Sequence, residues 1–456
     1  MTFLRIASCF TLLSLAVSPC LISESRAARW SITPTGTFTL DTNGLSVAEM
    51  SGVMHAGQGF SAIDFLAVQD DGSGGIRFRL NQDPNFGTIL SATAIDAFPF
   101  TPGMDDEGIA RAVELGGFSL PGQRIAYVSN EDDPSIRQIR FTDGAVISTI
   151  AAPSVYANRR VNRGFESLAS WSNSPDGARL ATANEEALTI DGPAATTTNG
   201  TVVRVQTYSV LGNPEFAVTA QATKQFAYEV DPIHAGTSTA NGARSGLAEL
   251  IAMPDKTLVA MERSLANSFS PPPFQNRLYE IDSDNATDTG AATYDSGLAG
   301  ATYTPAGKEL LWSGTVGGGF GQNLEGLTVG PKLDNGNWLL VGVVDSGDQL
   351  STNTIITFEA TAITTADFNG SGTVEGGDFL HWQRERDSDA ISFTADARDA
   401  DGNRDGDVDA DDLSLWTGGY GSAAVVAETV PEPSGIMLLA MSLVILSRRK
   451  RSSNTH

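Results

Sequence analysis

Five short segments in the first 350 or so residues repeat one another, and this repetition limits the fold more than any other feature of the chain. Three copies carry an acid: Asp106-Glu107-Gly108-Ile109-Ala110, Phe165-Glu166-Ser167-Leu168-Ala169 and Leu324-Glu325-Gly326-Leu327-Thr328. Two looser copies, Ser51-Gly52-Val53 and Ser245-Gly246-Leu247, lack it. About sixteen to twenty-four residues after each copy, a second polar phrase ends an apolar run. These are Gln69-Asp70-Asp71, Ser129-Asn130-Glu131, Asn184-Glu185-Glu186, Met261-Glu262-Arg263 and Val344-Asp345-Ser346. A unit repeated on this scale cannot bury its own apolar face and must stack on its neighbours.

The apolar runs read as strands, among them Val202-Val203-Arg204-Val205, Thr257-Leu258-Val259-Ala260-Met261 and Trp338-Leu339-Leu340-Val341-Gly342-Val343. Turn sequences such as Pro175-Asp176-Gly177, Pro254-Asp255-Lys256 and Asp334-Asn335-Gly336 sit just ahead of them. Radial repetition of four-stranded units predicts an all-β fold, a β-propeller of six blades with its innermost strands around a central channel. A pair of β-sandwiches is the alternative. The copies lie further apart than compact blades require, so long loops, near 191–200 and 231–244, project from one face.

Equivalent acids on equivalent strands converge on one end of such a channel. Crowded carboxylates are costly unless cations neutralise them or some stay protonated. Hard divalent cations take oxygen ligands, so calcium is the expected ion for a further site in the channel. Bound metal would grip phosphoryl oxygens and activate water, and Arg163, Arg263 and Arg277 lie in the same phrases to clamp phosphate. This reading assigns catalysis to Glu107, Glu166, Glu325, Arg163 and Arg263, and metal ligation to Glu185 and Glu262. The structural reading of the same residues is that the acids cap turns and pair with the arginines to staple neighbouring blades. A serine esterase is disfavoured: no Gly-x-Ser-x-Gly elbow occurs, and only His55 and His234 fall in this domain.

The net charge of −25 argues against nucleic acid, whose phosphates are held by basic patches. Residues 1–27 read as a secretory signal, with Arg5, an apolar core and Ser25-Arg26-Ala27 at the cleavage site. Both cysteines, Cys9 and Cys20, fall inside it, so the mature chain is expected to lack thiols. At the other end, Val430-Pro431-Glu432-Pro433-Ser434 precedes a short apolar stretch and Arg448-Arg449-Lys450-Arg451. This order resembles the PEP-CTERM sorting signal. The resemblance implies transient membrane anchoring, removal of the tail by an exosortase, and delivery to the cell surface, outer envelope or extracellular matrix.

Residues 367–416 hold a duplication offset by thirty-four. Asp367, Asn369, Ser371, Thr373 and Asp378 match Asp401, Asn403, Asp405, Asp407 and Asp412, with Gly372 and Gly406 at the bend and Asp409 in the second copy. Oxygens at positions 1, 3, 5, 7, 9 and 12 around a position-6 glycine describe an EF-hand-type calcium loop. The apolar position 8, Val374 or Val408, is expected to pair the two loops, and Ser371 makes the first site the weaker. The stretch carries fourteen acids against four bases, a repulsion that bound cations relieve. Two such loops resemble a type I dockerin, which implies two calcium sites, a small α-helical module and a cohesin-like or matrix partner. A calcium-stiffened spacer is the alternative.

Finally, Asn162-Arg163-Gly164-Phe165-Glu166-Ser167-Leu168-Ala169, Ala183-Asn184-Glu185-Glu186-Ala187-Leu188, Asn276-Arg277-Leu278-Tyr279-Glu280-Ile281-Asp282 and Asn323-Leu324-Glu325-Gly326-Leu327 resemble the phytase-like domain, labelled esterase-like activity of phytase. The resemblance runs over about residues 45–360 and implies a propeller and a phosphoester-hydrolysing ancestry. The chain is thus expected to divide into a signal peptide (1–27), a phytase-like propeller (28–362), a dockerin-like module (363–422) and a sorting tail (423–456). The leading expectation is a secreted, calcium-dependent phosphoester hydrolase. A non-catalytic binding propeller and a lactonase-like, metal-dependent ester hydrolase are the alternatives.

Overall fold

Runs of β-branched and aromatic residues cut by Gly, Pro, Asn and Asp favour strands joined by tight turns. The computed structural model describes residues 28–423 apart from 60–61, 71–73, 84–86, 101–104, 113–124, 142, 173–177, 213–215, 241 and 387–399. The export signal, the sorting tail, both cysteines, Asp71 and the Pro175-Asp176-Gly177 turn lie outside the described residues.

Twenty described strands make three four-stranded antiparallel sheets and one of eight strands, which a short parallel contact between two of its members divides into two further four-stranded antiparallel units. The N-terminal strand, β1 (Trp30–Asp41), is followed by the first sheet: β2 (Met50–Gly59), β3 (Ala62–Gln69), β4 (Gly74–Gln82) and β5 (Ile89–Phe98). The second holds β6 (Asp106–Arg111), β7 (Ile125–Asn130), β8 (Ser135–Arg140) and β9 (Ala145–Ala151). The third holds β10 (Ala169–Ser172), β11 (Ala178–Ala183), β12 (Thr201–Leu211) and β13 (Thr219–Val230). The fourth holds β14 (Arg244–Ala252), β15 (Leu258–Leu265), β16 (Phe274–Asp282) and β17 (Gly307–Gly314). The fifth joins β18 (Leu324–Lys332), β19 (Trp338–Val344) and β20 (Thr354–Ala362) to β1, which pairs along β20 from Trp30↔Ala362 to Thr39↔Thr354. The N-terminus therefore completes the last sheet, and a short parallel contact of β1 with β5 ties it to the first.

The first strands of the sheets touch in the order β2, β6, β10, β14, β18, and β18 returns to β2, closing a propeller-like ring. A ring of five sheets replaces the six blades expected, and the sandwich alternative is set aside because the inner strands close on themselves. Each sheet buries both faces, with one apolar core in every gap. Phe65 and Val341 meet between the fifth and first sheets, Leu66 and Val128 between the first and second, and Tyr127 and Leu180 between the second and third. Val203 and Leu250 meet between the third and fourth, and Met261 and Phe358 between the fourth and fifth. Two-sided burial is why the second strands read as continuous apolar runs rather than alternating ones.

Glycine sits after the acid in the repeated phrase for a steric reason. A Cβ at Gly52 would strike Glu107 and Ile109 backbone, one at Gly108 would strike Ser167 and Leu168 backbone, and one at Gly326 would strike the Ser51 carbonyl. At these three places the inner strands pack backbone to backbone, an approach that the missing side chain permits.

Two helices follow the ring, α1 (Gly376–Glu385) and α2 (Ala410–Gly419), each entered through a capping box. The indole of Trp382 donates to the Asp409 carbonyl at 2.7 Å and that of Trp416 to the Glu375 carbonyl at 2.8 Å, so each helix is pinned to the loop that opens the other. Val374 does not pair with the second loop as expected. Its N–H donates to Ser422 and its carbonyl accepts from Gly421, because the chain after α2 folds back as the nearer partner.

Candidate functional site

The ladder between first and second strands fixes which repeated residues are equivalent. Met50 pairs with Gln69, Asp106 with Asn130, Phe165 with Asn184, Leu247 with Glu262 and Leu324 with Val344. The fourth copy is therefore Leu247-Ala248-Glu249-Leu250, three residues later than sequence similarity places it. Glu262 stands where Asn130 and Asn184 stand, and Arg263 occupies the place of the acids Asp70, Glu131, Glu185 and Asp345. Neighbours in a strand point to opposite faces, so this one-residue difference moves Glu262 away from the ring's end and brings Arg263 to it.

What converges there is a belt of carboxylates around one guanidinium. Carboxylate oxygens of Glu131, Glu166 and Glu185 lie within 4.8 Å of one another, as do those of Asp105, Glu107 and Glu131, and of Asp70, Glu107 and Glu325. Arg263 is buried among them. It donates to Glu185 at 2.5 Å and to Asn323 Oδ1 at 3.0 Å, lies 3.8 Å from Glu166, and pairs with Glu325. Asn323 donates in turn to Glu325 at 3.1 Å and Asp345 at 2.7 Å. Arg163 reaches Glu185 at 2.9 Å and Glu186 at 3.4 Å, and the Ser51 hydroxyl donates to Glu107. Glu107, Glu166, Glu325, Glu185, Arg163 and Arg263 are thus brought together as the sequence suggested.

The belt divides electrostatically into two halves. Burial opposes ionisation of Glu185, but Arg263, Arg163 and Arg244 outweigh it and hold the acid down at about 2. In the other half no cation prevails. Burial, then Glu166 and Glu185, pushes Glu131 up to about 9; burial and then Asp345 pushes Asp70 up to about 8. Glu107 is raised well above its ordinary value by burial, then by Glu166 and Glu131. Glu166, between the halves, is pushed up to about 8 by burial and Glu185 against the pull of Arg263.

Glu262 and Arg277 form a separate cluster on the fourth sheet. Glu262 accepts from Tyr228 at 2.8 Å and Lys308 at 2.7 Å, and Arg277 donates to the Pro232 carbonyl at 3.3 Å. Glu262 is saturated by these partners, so the metal ligand expected there is a structural ion-pair residue. His234 contacts Ser264 Oγ at 2.8 Å and the Pro272 carbonyl at 2.9 Å, but Ser264 is fully buried. His55 faces a cavity of about 290 Å³, beyond the belt along the inner strands, where Val53, Ile109 and Leu250 mix with Arg111, Ser170 and Thr328. The serine paired with His234 is out of solvent's reach, and near His55 the Ser170 hydroxyl is committed to the Arg111 carbonyl at 2.7 Å.

Sequence similarity missed Glu249. In the frame of the ladder it takes the position of Gly52, Gly108, Ser167 and Gly326, whose small side chains leave room at the ring's centre. Its Oε1 accepts the N–H groups of Leu168 at 3.0 Å and Leu250 at 2.9 Å, linking two inner strands. A lone acid in the apolar run Leu247-Ala248-Glu249-Leu250-Ile251 was the available signal.

In the C-terminal loops the carboxylates are preorganised by backbone. Asp367 accepts from Ser371 at 3.0 Å and Gly372 at 2.7 Å; Asp401 accepts from Asp405 at 3.2 Å and Gly406 at 2.9 Å. Asp378 accepts from Asn369 at 3.0 Å and Asp412 from Asn403 at 3.1 Å. Gly372 and Gly406 adopt φ of 83° and 100°, the left-handed bend that glycine tolerates.

A family model described as phytase-like, esterase-like activity of phytase, matches residues 47–346. No curated protein matches the chain. Among solved structures, the PQQ-bound aldose sugar dehydrogenase of Streptomyces coelicolor is 13% identical, with 74% of this chain and 100% of that chain covered and a TM-score of 0.33. A protein of unknown function from Bacteroides caccae is 13% identical over 68% of this chain and 72% of its own, at a TM-score of 0.22. Both likenesses are too slight to inform the chemistry.

Proposed function

The chain belongs to the phytase-like family, and from that premise we propose that it is an exported, calcium-dependent phosphoester hydrolase. The observation that carries this reading is the cation-poor half of the belt, where Asp70, Asp105, Glu107 and Glu131 crowd together and burial outweighs the pull of Arg163 on Glu131. Asp70 Oδ1 is buried there without a hydrogen-bond partner, an acceptor that a bound cation would satisfy. An all-oxygen donor set fits a hard divalent cation. Such a cation would hold phosphoryl oxygens and lower the pKa of a bound water.

The chain's own residues then divide the work. Asp70, Asp105, Glu107 and Glu131 would hold the metal, with Glu325 at their edge; Arg263 fixes the positions of Glu185 and Glu325. Glu166, between the charge-rich and cation-poor halves, exchanges the proton of the attacking water. Arg163 lies at the edge to meet the substrate. Glu185, first assigned to the metal, is a positioning residue in this scheme.

The assay is phosphate release from a panel of phosphoesters, with calcium and then with chelator. The reading requires calcium-dependent release that Glu131→Gln and Glu107→Gln abolish. A folded, calcium-loaded protein without turnover on any member would support a binding propeller instead. That second reading is favoured by one observation, that Arg263 already satisfies Glu185, Glu166 and Glu325 as a structural staple.

The C-terminal repeat is proposed to bind two calcium ions through Asp367, Asn369, Ser371, Thr373 and Asp378, and through Asp401, Asn403, Asp405, Asp407, Asp409 and Asp412. It would then engage a cohesin-like or matrix partner as a dockerin does. Export by residues 1–27 and surface sorting by the PEP-CTERM-like tail complete the proposal. Calcium titration of the full chain, and its location in fractionated cells with and without residues 430–456, test these parts.

A further inference from the structure

Beside the belt lies a recess of about 460 Å³ whose lining runs against the charge of the whole molecule. Three arginines, Arg160, Arg163 and Arg244, face it with a single acid, Glu186, in a chain of net charge −25. The rest of the wall is small: Ala194, Thr239 and Gly242 leave room, and nothing would contact a Cβ at Gly242. Its walls come from the 191–200 and 231–244 loops, so the long loops predicted from the repeat spacing build it.

Arg244 is the informative member. Its nearest acid is Glu185 at 3.7 Å, and that carboxylate is already held by Arg263 at 2.5 Å and Arg163 at 2.9 Å. Arg244 Nε is buried with no hydrogen-bond partner. A guanidinium has five donors and keeps its charge in proteins, so a third arginine on one satisfied carboxylate is an excess cation with unused donors. Repulsion from Arg263, the main influence on it, disfavours this charge, so the site gains by taking up an anion. Arg160, by contrast, is anchored to the Ala187 and Gly192 carbonyls at 3.0 and 2.8 Å, which fixes it as a rigid wall.

We propose that this recess, with Arg244 as its principal donor and Arg163 beside it, binds one dianionic oxyanion group, the phosphoryl group of a phosphomonoester. Three arginines against one glutamate leave an excess of two positive charges, which matches a single phosphoryl dianion. Guanidinium forks bind phosphate oxygens in pairs. A polyphosphorylated substrate would carry most of its charge outside the recess, facing the acidic remainder of the chain. The inference deepens the hydrolase proposal and rests on it only for the fate of the ligand, because Arg163 and Arg244 both reach Glu185 of the belt.

The test is calorimetric titration of the full chain with inorganic phosphate in the presence of chelator, with sulfate and acetate as competitors. Phosphate is expected to bind, sulfate to compete more weakly and acetate not at all. Arg244→Gln should weaken binding at least about tenfold and Arg244→Lys less, since a charge-assisted pair is lost outright only in the first. Val161→Glu decides the matter should Arg244→Gln fold poorly. Val161 is 88% exposed on the recess wall, so an acid there repels the anion without disturbing packing. Arg77→Gln, on a distant ion pair with Asp96, should change nothing. No phosphate binding at millimolar concentrations, or equal affinity in folded Arg244→Gln and Val161→Glu, overturns the proposal. Arg244-dependent phosphate binding without calcium-dependent turnover would sink the hydrolase reading and leave this one standing. Turnover whose KM ignores Arg244→Gln would do the reverse.

Discussion

Replacing Arg263 by methionine tests whether the belt is held together by one buried cation. The side chain is 2% exposed and lies 2.5 Å from Glu185 and 3.8 Å from Glu166, with Glu325 also paired to it. At an effective dielectric near 20, the 2.5 Å contact with ionised Glu185 alone is worth roughly 6–7 kcal/mol before desolvation. Desolvation of the arginine offsets much of that gain, but removing it leaves the buried carboxylate of Glu185 without its nearest cation. Breaking a buried pair in this way typically costs about 3–5 kcal/mol. Denaturant melts of the full chain at pH 7.5 in chelator should therefore show Arg263→Met losing about 3–5 kcal/mol, while Arg263→Met/Glu185→Gln recovers at least ~1 kcal/mol of it. At lower pH the loss should shrink as the carboxylates take up protons. A loss below about 1 kcal/mol, or a double variant whose losses simply add, would refute the staple.

Further predictions follow from the same geometry. Without metal, Glu131 up at about 9 and Glu166 at about 8 bind protons that the unfolded chain, titrating near 4.3, releases. The chelated protein should therefore be most stable near pH 4–5 and lose stability up to pH 8 by as much as about 1.4 kcal/mol per pH unit for each of the two groups, with calcium removing the slope; a slope of opposite sign in chelator would count against the belt electrostatics. Glu249→Ala strips acceptors from the buried N–H groups of Leu168 and Leu250 and should cost about 2–5 kcal/mol in the same melts, Glu249→Gln markedly less. Gly326→Ala should cost about 1–3 kcal/mol or block folding, because its Cβ meets the Ser51 carbonyl, whereas Gly336→Ala should cost only the strain of φ 88°. Phe358→Ala empties the core between the fourth and fifth sheets and should cost about 3–5 kcal/mol.

The repeat in the sequence determined the most general fact, a chain of similar β units whose acids share an end. It did so because an apolar run ended by a polar phrase has one arrangement in which both faces are buried and the polar end meets solvent. It also located Glu107, Glu166, Glu185, Glu325, Arg163 and Arg263, since strand ends in equivalent units must fall at equivalent places. It did not give the count of sheets, because the five copies say nothing of whether β1 begins a sheet or completes the last one; only its pairing with β20 decides that. Nor did it give the frame of the fourth unit. Side chains alternate with a period of two, and the ladder pairs Leu247, not Arg244, with Glu262, a shift of the first strand that similarity cannot register. That slide separates Arg263, at the centre of the belt, from Glu262, in a cluster with Lys308 and Tyr228. Packing of the fourth sheet on the third also brings Arg244 beside Glu185 across 59 positions of chain, a proximity that only the tertiary structure creates.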